Sequence, residues 1–529
     1  MKTLSGVDGA FLHLETPETP MHVASLSLFE LPPGYKGTFF NDVKREIRKR
    51  LALVPVFTRK LAPMPLQFAN PAWITQERVN LGYHLQHLTL PAPGTLAQLE
   101  DCVGALHSEL LDRSHPLWRL YIIDGLASGL VGYYVKVHHA VLDGQAGVML
   151  AQALFDVTPE GRVIAPGAPL HEEHPGRAEL AAAALRHDVG QYVKLVRHLP
   201  DVVKALAGMF GARAPQAAKG RLGQNFSFGP RTVLNVPITG ERGFAAASIP
   251  MATLKQLAAA HEAKLNDVVM ALCSGALRRY LAAHGGIPKK PLIASMPISL
   301  RSPGNTEYTT QATLSLVNLN THIADPVKRL LAIRDAAGAV KAMARQVSGV
   351  IPTDFPSIGV PWVLHGLAEW YGHSSLAKVM PPVANVVISN VPGPQVPLYA
   401  SGARMVTYWP LSIPEHSVGL NITVMSYAGA MGFGFTSARC AVPDARELTA
   451  ALMAALDELV QRSGPAAPRQ RQAARVAVKP PTKVPAPATP ASPGRKSAAS
   501  APKPAVRVVA RKSAPVRSPG GGTGRRQKP

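Results

Sequence analysis

The string His138-His139-Ala140-Val141-Leu142-Asp143-Gly144 combines two adjacent histidines with an aspartate and a glycine at fixed offsets, a set of residue types suited to acid–base chemistry. A neutral imidazole has a pKa near ~6.5, so around neutral pH it can take the proton of a hydroxyl while that hydroxyl attacks an acyl carbon. His139 is the candidate base. A positioned general base contributes about 10² to 10⁴ in rate, which suits attack on an already activated acyl group such as a thioester and requires no covalent enzyme intermediate. His138 is expected to face the other way, because neighbouring side chains on a strand alternate. Asp143 has two readings, orienting His139 or anchoring the corner through an ion pair with an arginine, and the anchor is favoured. Gly144 permits the turn or close packing. Isolated histidines of this kind are ordinarily plain strand-end residues; here the whole string argues otherwise. Zinc is disfavoured, because adjacent histidines on an extended chain diverge and neither an HExxH pattern nor a cysteine partner accompanies them. The loop HEEH at 171–174 is a weaker metal candidate still.

Several elements must deliver this corner. Leu120–Asp124 and Leu130–Val137 read as strands flanking the turn Ala127-Ser128-Gly129, a hairpin that carries the chain to His138, and Gly144–Phe155 reads as the helix that follows. Upstream, Met21–Leu31 reads as a strand, Phe40–Leu53 as a basic amphipathic helix and Leu99–Leu111 as a helix. The Pro-, Gly- and charge-rich stretch Pro159–Arg177 marks a boundary, and Ala178–Arg213 reads as a pair of amphipathic helices kinked at Pro200. From about Phe244 a second half begins. It carries a helix over Leu265–Leu281, strands at Leu292–Ile298, Thr313–Asn320 and Asn385–Asn390, and a hairpin over Val418–Thr436. Strands and helices mix without a strict βαβ rhythm, which points to α+β layers.

Bulk properties bound the rest. At 529 residues the chain is long for one core. Of its net charge of +23, the segment Gly464–Pro529 supplies 15 Lys and Arg with no Asp or Glu, leaving +8 for the body. That Ala/Pro/Ser-rich tail has too few large apolar residues to offset its ordering entropy and is expected to be disordered. Solvation is its plainest role; attraction to anionic lipid and weak, sequence-independent nucleic-acid binding are the alternatives. Three widely spaced cysteines, Cys102, Cys273 and Cys440, suggest no disulfide framework and fit a reducing cytosol. The N-terminus does not read as a signal peptide, and no apolar run approaches the roughly 20 residues of a membrane span.

Further segments agree in order with a known family. They are LSGVDGAFLHLETPETPMHV at 4–23, PLW at 116–118, HHAVLDG, LNDVV at 265–269, PISLR at 297–301 and SNVPGP at 389–394. Together they resemble the bacterial wax ester synthase/acyl-CoA:diacylglycerol acyltransferases, a branch of the HHxxxDG acyltransferases, over about residues 4–460. The resemblance implies two chloramphenicol-acetyltransferase-like halves (1–158 and 244–463), a crossover at 159–243 with amphipathic helices, and a central tunnel where acyl-CoA meets a long-chain alcohol or diacylglycerol. His139 would be the base and coenzyme A the leaving group. Acyl-CoA is then a substrate, and no cofactor or metal is expected.

Carried over residue by residue, Pro116, Leu117 and Trp118 shape the acyl pocket, with a buried core tryptophan as the competing reading. Asn266 and Asp267 match an Asn-Asp motif, although Asn266 also suits a helix N-cap. Asn390 and the turn Pro392-Gly393-Pro394 line the tunnel or form a plain turn. Arg301 is the candidate partner of Asp143. Glu15 falls in the matched N-terminal motif, against the reading of a solvated loop carboxylate. A cytoplasmic enzyme with peripheral contact to the inner membrane or lipid inclusions is the leading expectation. A transferase using a polar or carrier-bound acceptor and a non-catalytic lipid-inclusion coat protein are the alternatives.

Overall fold

The computed structural model describes residues 2–141, 144–165, 171–210, 228–299, 312–347, 360–364, 366 and 381–464. Asp143, Arg301 and the basic tail beyond Gly464 lie outside the described residues.

Two six-stranded mixed sheets carry the fold. In the first, the order is Tyr399–Ala400, Ala403–Leu411, His22–Glu30, Val131–His138, Trp118–Asp124 and Leu85–Thr89. The second runs Ala312–Asn318, Ile293–Ser299, Val386–Val391, Leu420–Tyr427, Ala430–Ala438 and Arg242–Pro250. Pairing is antiparallel except where Val386–Val391 lies parallel to both its neighbours and Leu85–Thr89 parallel to Trp118–Asp124. A small sheet of Lys2–Thr3, Ala72–Thr75 and Arg59–Ala62 stands apart.

The strands and helices expected around the His-His corner form with small shifts at their ends: His22–Glu30, Phe39–Arg50, Leu96–Ser108, Trp118–Asp124, Val131–His138 and Gly144–Leu154. One expectation needs correction. Arg177–Phe210 is a single helix that runs through Pro200, so losing one backbone donor does not divide the segment.

Behind the second sheet the helix Leu265–Ala283 is buried along most of its length and packs against Arg446–Ser463, Pro326–Val347 and Met251–Ala260. Its apolar face joins Ile388, Ile422, Phe433 and Phe435 in the larger core. The helix Leu96–Ser108 plays a different part, because it bridges the two sheets. Its N-terminus is fixed by a reciprocal cap between Thr95 and Gln98. Glu100 Oε1 accepts the Ala246 N–H at 3.0 Å, and the Arg242 N–H donates to Ser108 Oγ at 2.9 Å. A Cβ at Gly104 would stand 2.7 Å from the Arg242 carbonyl oxygen, so the helix rests directly on the strand Arg242–Pro250. Leu26, Tyr121 and Tyr134 of the first sheet share one cluster with Leu99, Val103 and Phe244.

Ala403–Leu411 is the second link. It follows strands of the second sheet in sequence, yet it pairs with His22–Glu30 of the first. Where it passes Ala430–Ala438, glycines permit backbone contact: a Cβ would meet the Tyr408 oxygen at 2.5 Å from Gly432 and the Pro410 oxygen at 1.8 Å from Gly434. No helix among the described residues is long and apolar enough to cross a membrane.

A side chain at Gly434 has no room to relax because its obstacle is backbone, so Gly434→Val is expected to cost about 3 kcal/mol, the upper end of ordinary overpacking. A thermal melt should fall by about 3 °C. Gly176→Ala, where nothing lies within 4 Å, should melt like the parent. Equal melting of the two variants would refute the close approach.

Candidate active site

Strand alternation sorts the residues of Val131–His138 and its continuation. Val135, Val137 and His139 line a cavity between the sheets, whereas Lys136 and His138 point into a buried polar layer on the other side. The space between these walls amounts to about 1040 Å³, part of it open solvent at the mouth. Its first wall is Val23 and Ser25 with Gly147, Leu150, Ala151 and Leu154, which share one face of the helix Gly144–Leu154. Val387, Ser389, Val391, Thr423 and Met425 of the second sheet form the opposite wall, with Tyr408 and Pro410 of the crossing strand between them. The lining is mainly apolar, with the His139 imidazole among its few polar groups.

Backbone and ring contacts hold the two histidines in place. The His139 N–H donates to the Met21 oxygen at 2.8 Å, and the His138 N–H donates to the Leu117 oxygen at 3.0 Å. Phe11, on the helix Gly6–Leu14, stacks on the His139 ring with centroids 4.0 Å apart and planes 18° from parallel. His138 is fully buried, and its Nδ1 accepts the Ala140 N–H at 3.0 Å. An accepting nitrogen carries no proton, so this bond assigns the His138 proton to Nε2. That atom stands 3.2 Å from Glu15 Oε1.

Glu15 is the hub of the polar layer. Its Oε1 accepts the Met21 N–H at 3.1 Å and lies 3.4 Å from His22 Nε2, and its Oε2 accepts from Arg113 at 2.8 Å. Burial alone would raise the carboxyl pKa, but the hydrogen bonds and charges of His138 and His22 outweigh it and hold Glu15 well below the usual carboxylate range. Burial pulls His22 down to about 4, with Glu15 opposing, and drives His107 well below the ordinary histidine value. His107 Nδ1 is 2.9 Å from the Tyr134 hydroxyl and its Nε2 is 3.1 Å from the Ser412 oxygen. Burial likewise lowers Lys136 to about 8; its ammonium donates to the Leu106 and Glu109 carbonyls at the end of the bridging helix, both at 2.7 Å.

Other candidate residues fall in three places. Pro116, Leu117 and Trp118 are buried beside the corner and absent from the cavity wall; the Trp118 indole donates to the Phe57 oxygen at 3.2 Å and stacks with His84 at 4.2 Å. Trp118 is fully buried in the core of the first half. Asn390 Nδ2 donates to Asn266 Oδ1 at 3.1 Å, and because Ser389 and Val391 face the cavity, Asn390 faces the helix Leu265–Ala283. Asn266 follows Leu265 inside that helix instead of capping it; Asp267 Oδ2 accepts the Lys264 N–H at 2.8 Å, a capping role. Glu15 is 8 % exposed, which overturns the solvated-loop reading. Gly144 opens the helix after the corner. Sequence reasoning passed over Phe11, His22, His107 and Arg113. The first two lie within the matched N-terminal segment, which was the available signal; nothing local pointed to the others. Among the described residues, no three His, Cys, Asp or Glu side chains converge as a metal site would need.

His22 binds a proton in the unfolded chain near pH ~6.5 but resists it in the fold until about 4. The unfolded state therefore holds more protons across that interval, and stability falls as pH drops through it. His22→Gln should flatten the dependence of the melting temperature on pH between those values; a slope unchanged from the parent would contradict the buried, neutral His22. Stability contributed by the Glu15 carboxylate is lost only at more acidic pH, because its folded pKa is depressed.

Known proteins resemble this chain along most of its length. Residues 4–269 match the wax ester synthase/diacylglycerol acyltransferase catalytic domain, and residues 310–460 match the C-terminal domain of the same family. A putative diacylglycerol O-acyltransferase of Mycobacterium tuberculosis is 34% identical over 465 residues, covering 87% of this chain and 100% of the relative. Another from Mycobacterium bovis is 34% identical over 497 residues, covering 89% and 94%. The solved wax ester synthase/diacylglycerol acyltransferase of Marinobacter aquaeolei VT8 superposes with a TM-score of 0.63 at 27% identity, over 88% of this chain and 100% of that one. The first condensation domain of the calcium-dependent antibiotic synthetase superposes at 0.53 with 13% identity, over 88% and 97%, which shows a shared fold alone. The chain belongs to the wax ester synthase/diacylglycerol acyltransferase family.

Proposed function

We propose that this acyltransferase moves a fatty acyl group from acyl-CoA to the hydroxyl of a long-chain alcohol, of diacylglycerol, or of both, with His139 as the general base. The observation that carries the reading is an imidazole set in the wall of an apolar cavity between the two sheets, with its neighbour His138 turned into the protein and fixed there. Such a cavity accepts a hydrocarbon chain; one ionisable ring in its wall supplies the proton acceptor.

The reaction balances without a covalent enzyme intermediate. The acceptor O–H proton passes to His139 as the oxygen attacks the thioester carbon. The C–S bond then breaks, and the departing thiolate of coenzyme A takes up the proton, leaving the ester. Glu15, His22 and Arg113 serve as positioning residues behind His138, and the Pro116-Leu117-Trp118 segment supports the corner through the Leu117 carbonyl. Asp143 and Arg301 complete this reading as the anchor of the corner, and Asn266 with Asn390 as a brace behind the cavity wall. In the same reading, residues 1–158 and 244–463 are the two acyltransferase-like halves, 159–243 the crossover and 464–529 a separate tail. A position at the surface of a membrane or lipid inclusion suits acceptors that reside there.

Incubation of the purified chain with labelled acyl-CoA and either hexadecanol or diacylglycerol should give labelled ester with at least one acceptor. His139→Ala should lose about a hundredfold or more in turnover, the size usually carried by a general base, with its thermal melt unchanged. Ester from neither acceptor, or a His139→Ala variant as active as the parent, would overturn the proposal.

A further inference from the structure

The helix Arg177–Phe210 is turned inside out for a helix in water. Towards the protein, Leu180 and Ala184 pack on Ala62, Met64 and Ala72, but Asp188 and Gln191 on the same side are also buried. Towards solvent stand Leu185, Val189 and Val193, spaced by four residues, with Tyr192 beside them; they are 57%, 55%, 45% and 52% exposed. A surface helix ordinarily shows the opposite arrangement, and a continuous apolar row in solvent marks an interaction face, whereas single exposed residues do not.

A neighbouring turn also exposes apolar side chains. The same helix contacts the turn Pro65–Gln67, where Leu66 sits at φ 56° with 87% of its surface exposed. That backbone conformation is unfavourable for a leucine, and here it lifts an apolar side chain into solvent. Trp362, 58% exposed, donates its indole N–H to the Leu66 oxygen at 3.3 Å.

The charges beside the row identify its partner. Arg186 and Arg197 are exposed, whereas the only acid between residues 180 and 197, Asp188, is buried. Pairing with a second copy through this face would bring arginines towards arginines. An anionic lipid surface supplies both an apolar interior for the row and phosphates for its flanks. The geometry points to the face Leu185–Val193 as the surface by which this protein lies on an anionic bilayer. The inference deepens the reading of a lipid acyltransferase and rests on it only for the biological sense of the contact.

The test is co-sedimentation of the full chain with phosphatidylcholine vesicles, with and without phosphatidylglycerol. Measurement at high salt screens the basic tail. The combined variant Leu185→Gln, Val189→Gln and Val193→Gln should lose at least about tenfold in partitioning at high salt. Its melt, and its turnover with detergent-dispersed substrates, should stay unchanged. Arg186→Gln with Arg197→Gln should weaken binding at low salt only to vesicles that contain phosphatidylglycerol. Unaltered partitioning of the triple glutamine variant, or no partitioning by the parent, overturns the inference. So does a parent that is dimeric by sedimentation equilibrium and becomes monomeric in that variant, since a second copy would then be the occupant. Partitioning needs no catalysis, so its failure and the failure of acyl transfer are separate results.

Discussion

The rest of the site depends on two backbone hydrogen bonds that leave consecutive residues in opposite directions: His138 N–H to Leu117 and His139 N–H to Met21. They hold the end of the strand Val131–His138 where it passes into the turn that the Val141 N–H closes on the His138 oxygen, so the two neighbouring side chains still leave on opposite faces. One imidazole then has to enter the cavity and the other the protein. Neither ring can exchange roles with its neighbour without breaking a main-chain bond in a region sealed from water, where an unpaired N–H is costly.

Behind that step the protein accepts an expensive arrangement. Glu15 is buried with two histidines beside it and a guanidinium at its edge, and Lys136 is sunk under the same strand. Removing one member of such a layer leaves its partners buried and unpaired, which ordinarily costs more than the layer contributes when intact. A layer of this kind contributes geometry more than stability. It fixes the tautomer and orientation of His138, and through the shared backbone it fixes where His139 stands. The segment from Gly6 to Met21 contributes on both sides, with Phe11 stacked on the cavity imidazole and Glu15 beneath its neighbour. An N-terminal motif far from the histidines in sequence therefore belongs to the same corner.

Local pattern made much of this legible. Alternation located His22–Glu30 and Val131–His138, helical spacing located Leu265–Ala283, and alternation again separated the directions of the two histidines. What stayed hidden depended on partners distant in sequence. Glu15 reads as a loop carboxylate because its partners His22, Arg113 and His138 are scattered along the chain, and only folding brings them together. Trp118 satisfies its indole with the Phe57 carbonyl, a backbone group with no sequence signature. Asn390 suits a tunnel by motif, yet it turns its amide to Asn266, since the parity of Val386–Val391 gives the cavity to Ser389 and Val391. Ala403–Leu411 gives no sign in its own residues that its partner strand belongs to the first sheet.

That last strand has a consequence for biosynthesis. Arg404 and Glu30 are 374 residues apart in the chain yet form an ion pair across adjacent strands. On the ribosome, the edge of His22–Glu30 has no neighbour on that side until most of the polypeptide has emerged, and an open edge invites pairing with other chains. Closing so distant a contact is slow. The first half of this protein is therefore completed only by the second, and its nascent chain is the form in most need of chaperone protection.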